Sequence, residues 1–278
     1  PILNYPMAKA AIEMAVLDAQ LRASGTSWGT YFGAVHETAP SGVSVGIPAD
    51  DSLDTLINEV GSYVDAGYVR IKLKIQPGWD IEPTREVRRL WPNVPLQVDA
   101  NQAYTRDSIE HLAQLDEFNL LLIEQPLREH DILGHALMVK GMNTPICLDE
   151  TVTSLEVAEQ CLDLAACDII NIKPARVGGL LESVDIHDLC LSRGIPVWCG
   201  GMLETGIGRA ANLALAAMPG FTLPGDTSAS SRYFETDTTE PFVLVDGHIT
   251  VPTGPGIGVD PIPEIVERYA VSREWIKA

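Results

Sequence analysis

Lys72 and Lys74 stand two residues apart in an apolar, β-branched run, a spacing that turns both side chains to one face of a strand. Three carboxylates then recur every 25 residues: Asp99 in Val98-Asp99-Ala100-Asn101, Glu124 in Ile123-Glu124-Gln125-Pro126, and Asp149 ahead of Glu150. A further lysine, Lys173, closes Asn171-Ile172-Lys173-Pro174. Each acid taken alone serves equally well as the N-cap of a following helix, and each lysine as its counter-ion. Three acids at equivalent places on neighbouring strands are different, because carboxylates crowded together repel one another unless a cation joins them. Oxygen donors with no His or Cys among them favour Mg²⁺ or Mn²⁺ over zinc. A metal of that kind beside amines suits removal of the weakly acidic α-proton of a carboxylate substrate.

The elements that must position these groups repeat. Short apolar runs at Val43 to Ile47, Val69 to Ile75, Leu96 to Val98, Leu120 to Ile123, Ile146 to Leu148, Ile169 to Ile172, Ile195 to Cys199 and Phe221 to Leu223 read as eight strands. Between them lie stretches with helical spacing, such as Leu53, Leu56, Ile57, Val60 and Val64, or Val157, Cys161 and Leu164. Eight alternations of strand and helix predict an α/β fold of the closed parallel (β/α)8 barrel type, with the acids and lysines at the C-terminal strand ends. A doubly wound open sheet is the alternative, but no GxGxxG or Walker-type loop follows the first strand.

In such a barrel strands two and six lie four places apart, so Lys74 and Lys173 face each other across the mouth with the three acids on the strands between. Lys72 beside Lys74, and Arg176 beside Lys173, are expected to depress the neighbouring amine's pKa by like-charge repulsion. Ahead of the barrel, Met7 to Arg22 sets Ile12, Ala15, Val16 and Ala19 at helical spacing, with Met14, Leu17 and Leu21 widening the apolar surface, and predicts a helix that packs on or plugs the barrel. After the eighth strand the chain turns rich in Thr, Pro and Gly and is expected to cross back over the barrel. The domain division predicted is 1–230 for the barrel with its leading helix and 231–278 for the returning segment.

Composition narrows the partners. A formal net charge of −19 disfavours nucleic acid, and no apolar run approaches membrane-spanning length. The five cysteines form no CxxC pair, which predicts buried thiols, no disulfide and no zinc site, in a reducing cytoplasm. A small-molecule carboxylate is the expected partner.

The string Lys72-Leu73-Lys74, Asp99-Ala100-Asn101, Glu124-Gln125-Pro126, Asp149-Glu150 and Lys173, with Gly200 to Gly206, resembles the muconate-lactonising subgroup of the enolase superfamily. Asn171 to Gly179 and Pro224 to Ser230 are most similar to its N-acylamino acid racemase/o-succinylbenzoate synthase branch. The likeness runs from Met7 to about Gly258. The resemblance implies Mg²⁺ held by Asp99, Glu124 and Asp149, Lys74 and Lys173 as an acid/base pair, and Lys72 assisting at the substrate carboxylate. It also implies substrate contacts from Ser44, Asn101 and the stretch Gly201, Met202 and Leu203, and assembly into a homo-oligomer. Members of the family carry an α+β capping segment ahead of the barrel; this sequence opens at the leading helix, so the cap is expected in cis or as another chain, with a remnant in the C-terminal segment.

Three readings follow: racemisation of N-acylamino acids such as N-succinyl ones, dehydration to o-succinylbenzoate on the way to menaquinone, and a non-catalytic barrel without its cap. Other reactions of the subgroup, cycloisomerisation and dipeptide epimerisation, stand behind these. For the epimerase the resemblance calls for Asp-x-Asp on strand eight, where this chain reads Gly225-Asp226-Thr227.

Overall fold

The computed structural model of the chain describes residues 3–275. Seven parallel strands stand side by side in chain order: Gly42–Val45, Arg70–Lys74, Leu96–Asp99, Ile123–Glu124, Ile146–Leu148, Ile169–Ile172 and Val197–Cys199. The predicted eighth strand is reduced to isolated bridges, Phe221 with Val197 on one side and Gly225 with Ser41 on the other. Pro224 explains the reduction, since it has no N–H to give a ladder. Closure is nonetheless made, with Gly42 N–H donating to the Gly225 carbonyl at 2.8 Å and Asp226 N–H to that of Cys199 at 2.9 Å. The architecture is the expected TIM-type barrel with an abbreviated eighth stave.

Alternation along the strands sorts the side chains. Ile71, Leu73, Leu96, Val98, Ile170 and Ile172 point outward into two apolar cores under the helices. The intervening positions turn inward, where Leu122, Cys147, Ile169 and Trp198 form a small separate cluster beside buried Arg70 and Gln97. The helices are begun by side-chain caps. Ser52 accepts from Thr55 N–H at the start of Leu53–Asp65, and Ser154 from Val157 N–H at the start of Leu155–Asp163. All five cysteines are buried free thiols. No described helix is long and apolar enough to cross a membrane.

The leading helix, Pro6–Ser24, packs on the barrel with a different face from the one its spacing suggested. Ala10, Leu17 and Leu21 are buried, whereas Ile12 and Val16 are exposed. Because the helix is apolar on most sides, spacing alone leaves its rotation open. Glu13 decides it, since this residue shares the stripe of Ala10 and Leu17 at helical spacing. Its carboxylate accepts from the backbone N–H groups of Leu180 and Leu181, at the N-terminus of helix Leu180–Ser192.

The C-terminal segment returns to the barrel through a strand. His248–Thr250 pairs antiparallel with Thr38–Pro40, immediately before the first barrel strand and so at the N-terminal end of the barrel. A short helix, Pro263–Tyr269, follows. The last three residues of the predicted 231–278 segment lie outside the described residues.

Replacing Glu13 by Ala removes a charged acceptor from two N–H groups at a helix start. A loss of about 1–2 kcal/mol is expected, which for a chain of this size lowers Tm by about 2–8 °C. Thermal unfolding followed by circular dichroism measures it, and an unchanged Tm would mean that apolar packing alone seats the leading helix.

Candidate active site

Every inward-facing strand end named from the sequence arrives at one end of the barrel. Ser44 is in register with Lys72, Lys74 with Asp99, and Asp99 with Glu124. Asp149 and Lys173 each follow the last residue of their strands. A cavity of about 330 Å³ opens there, lined by Ser44, Lys72, Lys74, Asn101, Lys173, Arg176 and Gly201 to Leu203, together with Glu150, Asp226 and Tyr233. Asp99, Glu124 and Asp149 form its buried floor, each no more than 1% exposed.

Ammonium groups lie directly on this floor. Lys74 Nζ is 2.5 Å from Asp99 and 2.5 Å from the Asn101 side-chain oxygen. Lys173 Nζ is 2.6 Å from one oxygen of Asp149, whose other oxygen accepts from Arg176 at 3.0 Å. Lys72 Nζ sits 2.6 Å from Asp226, 3.0 Å from Glu124 and 3.5 Å from Asp99, over the ring of Trp198 at 4.8 Å. Asn171 donates to the second oxygen of Glu124 at 2.8 Å.

The charges shift one another accordingly. Burial pushes the Glu124 carboxyl well above the usual carboxylate range, and Asp99 and Asp149 push it further. Burial would lower the Lys173 amine, but Asp149 and Glu124 outweigh it and hold the amine above its ordinary value. In this arrangement Lys173 is therefore held charged, and Arg176 touches it only through the shared Asp149. Lys72 is likewise held up by Asp226, Glu124 and Asp99 against the opposing effect of burial.

Among the described residues no three His, Cys, Asp or Glu side chains converge on one point as they stand, because the lysines reach in between them. The donor set nevertheless fits a hard divalent cation. Its members are oxygen-only, buried and on adjacent strands, and each carries carboxylate oxygens turned toward the cavity's ammonium groups.

Sequence reasoning missed the support beneath the site. Arg70 is fully buried inside the barrel, donating to Asp226 at 2.8 Å and to the Pro224 carbonyl at 3.0 Å, with its guanidinium over the Trp198 ring as the Lys72 ammonium is. Its signal was the alternation Arg70, Lys72, Lys74, which carries the inward face one position deeper. Gly42 is required opposite it, since a Cβ there would lie 2.2 Å from the guanidinium carbon. Gly200 similarly leaves room for Asn171 and Lys173, whose atoms would lie 2.2 and 2.7 Å from a Cβ. Asp226 follows a stave without strand periodicity, and only the fold brings it to Lys72.

Arg70 and Lys72 hold the Asp226 carboxyl far below the usual range, outweighing burial. Because the folded value is depressed, its contribution to stability is present above pH of about 4 and is lost as pH falls through the folded value. Asp226→Asn leaves two buried cations short of a counter-ion and should cost about 3–5 kcal/mol, read from urea midpoints. The variant should also lose less on acidification than the parent. Adding Arg70→Met should recover part of the loss; strictly additive losses would show that the two side chains act independently.

The model of the Enolase C-terminal domain-like family matches residues 55–265. An N-succinylamino acid racemase from an Amycolatopsis species is 59% identical over 98% of this chain and 74% of its own length. An o-succinylbenzoate synthase from Geobacillus kaustophilus is 50% identical over 95% of this chain and 70% of its own. A crystal structure of an enolase superfamily member from Listeria innocua superposes with a TM-score of 0.91 at 43% identity, covering 96% of this chain and 72% of that one. With its closed barrel and its array of acids and lysines at the strand ends, the chain belongs to the Enolase C-terminal domain-like family of the enolase superfamily.

Proposed function

We propose that the chain is the catalytic barrel of a divalent-metal enzyme that removes the α-proton of a carboxylate substrate, racemising N-succinylamino acids and forming o-succinylbenzoate by dehydration. The observation that carries this reading is the entry of Lys74 and Lys173 into one cavity from strands two and six, with three buried carboxylates on the strands between. Both activities are proposed together because relatives bearing each name match the chain over nearly all its length.

Asp99, Glu124 and Asp149 would hold Mg²⁺ or Mn²⁺, which when bound supplies the positive charge that makes an α-proton removable and anchors the substrate carboxylate. Lys72, fixed over Trp198, adds a permanent positive charge beside that carboxylate. In racemisation one of Lys74 and Lys173 takes the α-proton at Nζ and the other returns a proton from the opposite face. For dehydration Lys74 is the base, and Lys173 contributes its charge. Arg176 competes with Lys173 for Asp149, and we propose that this competition frees the Lys173 amine to lose its proton. Residues 231–278 are proposed to contribute to a cap over the mouth.

Glu124→Gln removes an anionic donor from the centre of the floor. Calorimetric titration with Mg²⁺ should show affinity falling by at least about tenfold, as removal of a first ligand from a hard-cation site requires. Unchanged affinity would remove Glu124 from the metal site.

The opposed lysines are tested in deuterated water with separate enantiomers of N-succinylphenylalanine. Lys173→Ala should exchange the α-proton of only the enantiomer that presents it to Lys74, without inverting it, and Lys74→Ala should show the mirror pattern. An amine must come within about 3 Å of the proton it takes, and an anchored substrate cannot offer its other face. Exchange of both enantiomers by either single variant would dismiss the two-base arrangement.

A further inference from the structure

Of the residues on the wall opposite the carboxylates, Tyr233 lines the cavity without a role so far. The acids lie on strands three to five and the paired lysines on two and six, so a substrate anchored by its carboxylate turns its other α-substituents toward strands seven, eight and one. Gly201 to Leu203, Tyr233 and Ser44 stand there.

Tyr233 is held in place. Its backbone N–H donates to the Ser230 carbonyl at 3.1 Å, and Ser230 N–H to that of Phe242 at 2.9 Å. The Arg232 guanidinium lies between two rings, 5.4 Å from that of Tyr233 and 5.0 Å from that of Tyr63, while its Nη2 donates to the Ser44 carbonyl at 3.2 Å. The ring is thereby tied to the first strand. The phenol itself makes no side-chain hydrogen bond among the described residues, although it lines the cavity. Burial, and then the negative charge of Asp226, raise its pKa, so it remains a proton donor at neutral pH.

We infer that Tyr233 is a specificity-determining residue whose hydroxyl donates to the amide carbonyl oxygen of an N-acylamino acid. The inference rests on the substrate class proposed above. Two features select an amide oxygen over a distal carboxylate. The donor is neutral, and the cations beside it are already engaged: Arg209 by the Asp226 carbonyl and Glu204, and Arg232 by the Ser44 carbonyl and Glu59. Met202 and Leu203, exposed on the same wall, offer apolar surface to the amino-acid side chain.

The test compares two probes in calorimetric titrations of the Mg²⁺-loaded full chain. N-acetylphenylalanine carries the amide, and 3-phenylpropanoate has the same carbon skeleton without it. Tyr233→Phe should weaken the first roughly three- to tenfold, the range of one neutral hydrogen bond, and leave the second within about twofold. Arg232→Met, which releases the ring without touching the cavity, should reproduce the selective loss in part. Equal losses for both probes, no loss for either, or failure of the parent protein to bind N-acetylphenylalanine would overturn the inference. Proton exchange on the same samples keeps the catalytic reading separate. A selective loss of binding in a protein that exchanges no α-proton would leave Tyr233 as the amide contact and dismiss the reaction.

Discussion

The structure turns on charge neutralisation inside a barrel whose interior is otherwise apolar. Lys72 meets Asp226, Glu124 and Asp99 within 3.5 Å and has 2% of its side chain exposed. Neither the ammonium nor the acids would be tolerable there alone, since burying an unpaired charge costs several kcal/mol per ion, on the order of the whole stability of a domain. Arg70 below and Lys74 and Lys173 above extend the same balance to both ends of the acid cluster. Trp198 offers its ring to both inner cations, with its indole N–H on the Cys147 sulfur.

That balance also makes the site responsive. The raised Glu124 and the raised Lys173 are two faces of one crowded arrangement, in which burial and neighbouring acids lift the carboxyl and the acids lift the amine. Asp149 gives one oxygen to Lys173 and the other to Arg176. Lys173 is thus held as one half of an ion pair whose other half, Asp149, it shares with Arg176.

The two ends of the barrel divide the work. At the N-terminal end, regular packing and the ribbon of Thr38–Pro40 with His248–Thr250 hold the staves. At the C-terminal end, polar side chains and positive-φ residues such as Asn101 and Gln125 replace regular structure. Asp149 and Lys173 stand where the backbone has just left its ladder.

Much of this was written in the residue pattern. Strand alternation put Lys72, Lys74, Asp99, Glu124, Asp149 and Lys173 on the inner face, and a repeat of one strand and one helix set them at equivalent heights, so local periodicity was sufficient for the barrel and for the array at its mouth. Rotation of the leading helix was not legible, because a helix apolar on most sides can pack by several faces and only the distant N-terminus of Leu180–Ser192 selects the one bearing Glu13. The placement of Asp226 and Tyr233 was equally hidden. Pro224 breaks the eighth stave, so no two-residue period announces which way Asp226 points, and Tyr233 reaches the cavity from irregular chain. Periodic elements carry their side-chain directions in the sequence; irregular segments acquire theirs only from the partners that the closed barrel brings to them.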